Sequence, residues 1–121
     1  DGATLEHMVQ VAREVPVASH VLDYAVSLVE ATHPERELAP PQVRQYVRYG
    51  VSPRGLQALV IGGQVRALLE GRYNLSVEDL GAVARPALRH RLILNFEAQA
   101  EGITTDQVIG HILEAVEPAK A

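Results

Sequence analysis

Apolar residues recur along most of this chain at the three- and four-residue spacing of amphipathic helices, and the polar breaks between them hold residues that start and stop helices. Leu5, Met8, Val9 and Ala12 predict a first helix from about Thr4 to Glu14. In "EVPVAS", Pro16 disfavours helical backbone at Val15, so extended chain, with Val15 to Val17 a candidate strand, should precede a second helix opening near Ser19. The stripe of that helix is Val21, Leu22, Ala25, Leu28 and Val29. Pro34, Pro40 and Pro41 then interrupt "ATHPERELAPP", a long polar loop expected to be exposed and available for function.

The next segment has the sharpest signals. Ser52 suits an N-cap, Pro53 the first helical position and Arg54 the second, and the helix should run to about Glu70 with Gly71 as its stop. Leu56, Leu59, Val60, Gly63 and Ala67 share one side. Ala58, Ile61, Val65, Leu68 and Leu69 share the other, together with Arg54. A helix apolar on two sides belongs at the centre of a bundle. Gly62 and Gly63 each cost about 1 kcal/mol against Ala inside a helix, which predicts close approach by a neighbouring backbone. Ser76 and Asp79 frame a capping box for a further helix whose Leu80, Val83 and Ala84 point inward and which Pro86 bends or restarts. Leu92 to Phe96 reads as a short strand or a helix tail. Thr104 or Thr105 caps a last helix with the stripe Val108, Ile109, Ile112, Leu113 and Val116. The pattern predicts an all-α fold, a bundle of about four main helices in one domain over residues 1–121, with at most a few strand residues near Val15 to Val17 or Leu92 to Asn95.

Composition narrows the function more than the fold. The 121 residues suit one domain, there is no cysteine, and no apolar run approaches the roughly 18 residues of a membrane span, so a cytoplasmic protein is expected. The chain begins at Asp1 rather than Met, which predicts a piece of a longer protein. A net charge of −4 argues against a general nucleic-acid or anionic-membrane role. No phosphate loop of the GxxxxGK[ST] kind and no GxSxG elbow occurs. His7, His20, His33, His90 and His111 lack metal-ligand spacing, so neither catalytic residues nor a metal site is expected within the chain.

The cations remain. Arg85, Arg89, His90 and Arg91 read either as a solvated or charge-paired helix face, or as a patch for an acidic surface or a nucleotide at a subunit boundary; Arg44 and Arg48 leave the same choice. Arg54 is more pointed. A cation in the first turn opposes the positive end of the helix dipole at a cost of about 0.3–1 kcal/mol, yet a guanidinium is a planar fork of donors suited to phosphate. Either Arg54 is an ordinary surface residue, or one that pairs with a local glutamate, or it awaits an anion supplied from outside.

"YGVSPRGLQALVIGGQVRALLEGRYNLSVEDLGAVARPALRHRLIL" closely resembles the C-terminal lid subdomain of the MoxR-type AAA+ ATPases. Their lids carry a Gly-Ala-Ser-Pro-Arg-Ala stretch, an Ala/Leu-rich helix, Gly-Arg-x-x-Val-x-Pro-x-Asp-Val and a Leu-x-His-Arg ending. "VARE", "VPV" and "VLDYAVSLVEATH" look like the start of the same lid, so the resemblance runs from about Val9 to Leu94. Departures are Val51 and Gly55 in place of the two alanines and Ser76 in place of the proline.

The resemblance implies that Arg54 is the sensor 2 residue reaching the γ-phosphate of ATP, aimed by the helix start at Ser52 and Pro53. ATP or ADP with Mg2+ would be held mainly by an N-terminal ATPase core expected before Asp1, with no tight binding to this chain alone. It further implies a ring, commonly a hexamer, with chaperone-like activity and von Willebrand factor A domain proteins as partners. Two other readings are a free-standing helical interaction module using Ile61, Val65 and Leu68, and a helical DNA-binding domain using Arg85 to Arg91, against which the acidic balance stands.

Overall fold

The computed structural model describes residues 2–118. Its elements are α1 (Gly2–Arg13), α2 (Ser19–Glu30), α3 (Pro41–Tyr46), β1 (Val47–Tyr49), α4 (Pro53–Leu69), α5 (Val77–Leu88), β2 (Ile93–Leu94), α6 (Phe96–Glu101) and α7 (Thr105–Ala115). Among the described residues the fold is all-α apart from one two-stranded sheet. Asp1 and residues 119–121 of the expected domain lie outside the described part.

Helix α4 is the centre, packed against α1, α2 and α5. Only one of its two apolar sides is fully enclosed, that of Gly55, Leu59, Gly63 and Ala67 with Gln64; Ile61, Val65 and Leu68 are half-buried and Leu69 is exposed. The close approach at Gly63 is made by side chains rather than by a backbone. A β-carbon at Gly63 would stand 2.6 Å from Leu75 Cδ1 and 3.3 Å from Leu80 Cδ2.

The link between α1 and α2 is extended but forms no strand. Instead, the buried Gln64 amide donates to the carbonyls of Val15 at 2.9 Å and Arg13 at 3.4 Å, while the Leu75 N–H donates to Pro16 O at 3.1 Å. Along α2, Val21, Tyr24, Ala25, Leu28 and Val29 are buried and Leu22 turns outward, since Tyr24 takes the inward place. Helix α5 opens with the expected capping box: Ser76 Oγ accepts from the Asp79 N–H at 3.1 Å, and the Asp79 carboxylate accepts from the Ser76 N–H at 2.9 Å. Pro86 lies in the last turn, and the helix runs through it to Leu88.

The strand expected in the region 92–95 is β2. Its antiparallel partner β1, which the helical pattern did not suggest, sets Val47 opposite Leu94 and Tyr49 opposite Ile93 with an irregularity between them. Helix α7 is capped by Thr104 in a box with Gln107, and buries Val108, Ile109 and Ile112.

Residues 31–40 are less open than a proline-rich polar loop suggests. Ala31, Thr32, Ala39 and Pro40 are buried, and the Arg44 guanidinium gathers the segment by donating to the carbonyls of Arg36, Glu37 and Ala39.

Candidate functional site

Arg54 stands at the second position of α4, exposed, and its guanidinium meets no partner among the described residues. The unsatisfied N–H groups of a first helical turn face the same way as the dipole's positive end. Arginine and helix start together form a donor-rich corner with no carboxylate of its own to neutralise it. That geometry suits an arriving anion.

What fixes the start of α4 differs from expectation. Ser52 occupies the N-cap position with extended backbone, φ −77° and ψ 170°, but its side chain makes no capping hydrogen bond. Its carbonyl accepts the first helical bonds, from Gly55 N–H at 2.9 Å and Leu56 N–H at 3.3 Å. Pro53 takes the first helical position, where its missing N–H costs nothing.

The chain is held one residue earlier, at Val51, by the end of α2. Thr32 Oγ1 accepts from the Val51 N–H at 2.9 Å and donates to Val29 O at 2.5 Å; His33 Nε2 donates to Val51 O at 2.8 Å, so that nitrogen carries a proton. Thr32 is fully buried and Val51 is 1% exposed. Gly50 permits the contact, because a β-carbon there would meet the His33 ring at 2.7 Å and Thr32 O at 2.8 Å. Beside this junction a shallow pocket of about 200 Å3 opens between α2 and α4, lined by Val29, His33, Arg36, Ser52, Pro53 and Leu56.

The other cations divide. Arg89 makes a two-pronged contact with Asp106, Nε to Oδ1 at 2.8 Å and Nη2 to Oδ2 at 2.9 Å, tying the end of α5 to the start of α7; this hydrogen bonding holds Asp106 below and Arg89 above their ordinary pKa values. Arg91 donates to Ala87 O and lays its stem on the first turn of α4, its Cδ 3.3 Å from where a Gly55 β-carbon would be. Arg48 lies over the Tyr49 ring, 5.1 Å from its centroid. The cluster from Arg85 to Arg91 is therefore not one open basic face.

Arg66 and Arg72 converge on the fully buried Asp79, at 2.7 Å from Arg66 Nη1 and 2.5 Å from Arg72 Nη2. Burial pushes the Asp79 carboxyl up, but Arg72, the Ser76 N–H and hydroxyl, and Arg66 outweigh it and hold the group well below the carboxylate range. This is a structural staple across the turn between α4 and α5.

The side with Ile61, Val65 and Leu68 is partly occupied. Arg13 and Ile61 line one groove and Val11, Val15 and Leu68 another, so α1 runs along the surface that a partner helix would need. Among the described residues no cluster of three or more His, Asp or Glu is placed to hold a metal ion, and no helix is long and apolar enough to cross a membrane.

Thr32, His33 and Gly50 were not legible as contributors to this region, nor was Gln64 as the tie between α4 and the link from α1 to α2. The visible signals were weak: a threonine just after an apolar stripe, and one glutamine inside an apolar helix.

Against known proteins, a family model for the AAA lid domain matches residues 42–112. Over 96 residues the chain is 33% identical to the Chaperone MoxR1 of Mycobacterium tuberculosis, covering 79% of this chain and 26% of that protein. With the Protein MoxR of Paracoccus denitrificans it shares 33% identity over 86 residues, 69% of this chain and 25% of that one. The crystal structure of a candidate ATPase from Cytophaga hutchinsonii superimposes with a TM-score of 0.85 at 35% identity, over 90% of this chain and 33% of that chain. The chain thus spans about a quarter of these curated relatives and a third of the solved structure.

Proposed function

The chain belongs to the AAA lid domain family, in its MoxR-type branch, and from that premise we propose that it is the nucleotide-sensing lid of an AAA+ ATPase, with Arg54 as the sensor 2 residue that meets the γ-phosphate of ATP. The supporting observation is the guanidinium of Arg54, without a partner among the described residues and exposed at the start of the central helix where a cation is otherwise disfavoured. Planar paired donors match a terminal phosphate better than a point charge does.

In this reading the core of the parent protein holds the nucleotide and Mg2+, which supplies charge neutralisation at the phosphates. The lid contributes one arginine, which orients and stabilises, and the helix that aims it. The charge-assisted hydrogen bonds of one guanidinium, about 1.5–3 kcal/mol each, must first offset the roughly 4–15 kcal/mol lost on association, which leaves them short of the net of roughly 8 kcal/mol that micromolar affinity requires, so the lid alone binds ATP weakly. The parent works as a cytoplasmic, chaperone-like ATPase assembled in a ring, a hexamer, with von Willebrand factor A domain proteins as partners; the likeness to a protein named as a chaperone supports the chaperone part.

The test is lid closure in the full-length protein, read as a core-to-lid distance under ATP and under ADP. Only ATP offers the group that Arg54 would touch, and a ligand shifts states only through contacts that differ between them. Wild type should favour closure with ATP and Arg54→Ala should lose that preference; a preference that survives in Arg54→Ala defeats the reading.

A further inference from the structure

We propose that Thr32 and His33 are positioning residues for Arg54, a latch from the end of α2 that sets the direction in which α4 begins. The inference rests on the sensor reading of Arg54 and adds what aims it. A helix start is commonly fixed by its own N-cap side chain, and here the Ser52 hydroxyl makes no such bond. Both backbone polar groups of Val51 are taken by side chains of the Thr32–His33 dipeptide, and Thr32 passes the connection to Val29 in the last turn of α2. Gly50 leaves the room that the His33 ring needs.

Between the pinned Val51 and Arg54 lie only Ser52 and Pro53, and the proline ring fixes its own φ. The path from α2 to the guanidinium is therefore short and contains one stiff link. A shift of α2 against α4 moves Arg54, and loss of the latch leaves α4 folded by its packing but free to tilt at its first turn. Because the core holds most of the nucleotide, such a fault should appear in turnover rather than in substrate affinity.

The variants are Thr32→Val, which keeps the shape and removes the hydroxyl, Thr32→Ser, which keeps it, His33→Phe, and His33→Gln, whose amide still donates. They are made in the full-length protein with and without Arg54→Ala, and kcat, KM for ATP and melting temperature are measured for each. Thr32→Val and His33→Phe should each lower kcat by about tenfold or more, the scale of a small misplacement of a catalytic contact, with KM changed by less than about threefold. Thr32→Ser and His33→Gln should recover most of the loss. On the Arg54→Ala background Thr32→Val should cost little more, since residues acting through one another are not additive.

If Thr32→Val does not fold, the His33 pair reads the same bond to Val51. Folded Thr32→Val and His33→Phe proteins with wild-type kcat overturn the proposal, as does a loss that persists undiminished on the Arg54→Ala background. In both cases a large effect of Arg54→Ala itself leaves the sensor reading standing. If Arg54→Ala alone leaves kcat unchanged, the sensor reading fails and the latch proposal with it.

Discussion

Val51 fills the space in which a β-carbon on Gly55 would sit: an ideal β-carbon at position 55 would lie 2.0 Å from Val51 Cγ1. The MoxR-type motif has alanine at both places, and Val51 with Gly55 is a redistribution of side-chain volume across one helical turn. Gly55→Ala gains about 1 kcal/mol in helix propensity but overpacks a stiff β-branched neighbour at about 1–3 kcal/mol, for an expected net destabilisation of about 1 kcal/mol. Val51→Ala leaves a void costing about 1–3 kcal/mol. The double variant should lie well above the sum of the two, by about 1 kcal/mol or more of coupling. Calorimetric melting of the four proteins decides it, and a Gly55→Ala chain more stable than wild type counts against the packing.

The Asp79 staple makes stability depend on acid. Arg72, Ser76 and Arg66 hold the folded-state carboxyl below its ordinary value of 3.8 despite burial. A depressed pKa contributes stability above the unfolded value, and the contribution is lost as pH falls from about 5 toward the folded value. Asp79→Asn should cost about 3 kcal/mol near pH 7, the lower end for breaking a buried pair because Arg66 and Arg72 keep access to water. In urea titrations the gap between wild type and Asp79→Asn should narrow as pH drops below 5. A gap that stays constant down to pH 3 contradicts the assignment.

Gln64 ties α4 to the link between α1 and α2 through the carbonyls of Val15 and Arg13. Gln64→Leu keeps the bulk and strands those acceptors, so a loss of about 1–3 kcal/mol is expected. Hydrogen exchange should show faster opening of α1 than of α5. Uniform loss across the chain would mean that Gln64 does not hold α1 in particular.

Periodicity carried most of the architecture, since α2, α4, α5 and α7 each bury a stripe that repeats with the helical turn, whereas α1 buries only Ala12 of its expected stripe and leaves Leu5 exposed. The capping box at Ser76 was legible because both of its partners lie three residues apart. Long-range hydrogen bonds have no such local signature. Ser52 looked like a cap, but its hydroxyl makes no capping bond, and the chain is held instead at Val51 by Thr32, nineteen residues before it. Strand β1 was hidden because three residues are too few to show alternation, and its partner lies beyond two helices. Gly62 and Gly63 predict a neighbouring backbone, and at Gly63 the neighbours are instead the side chains of Leu75 and Leu80. Arg54 was legible as misplaced charge from sequence alone, and the structure adds its exposure and the lack of a partner among the described residues.

ATP turnover by the full-length protein carrying Arg54→Ala is the most direct measure of whether this helix start serves a nucleotide. The lid itself should remain folded, with stability changed by about half a kcal/mol or less and in the favourable direction, because a cation leaves the positive end of a helix. Turnover should fall at least about tenfold, since arginines that meet phosphoryl charge are capable of far larger effects, and Arg54→Lys should recover little of it, lacking the planar fork. Wild-type turnover in a folded Arg54→Ala protein would show that Arg54 is a solvated arginine and that the nucleotide is sensed elsewhere.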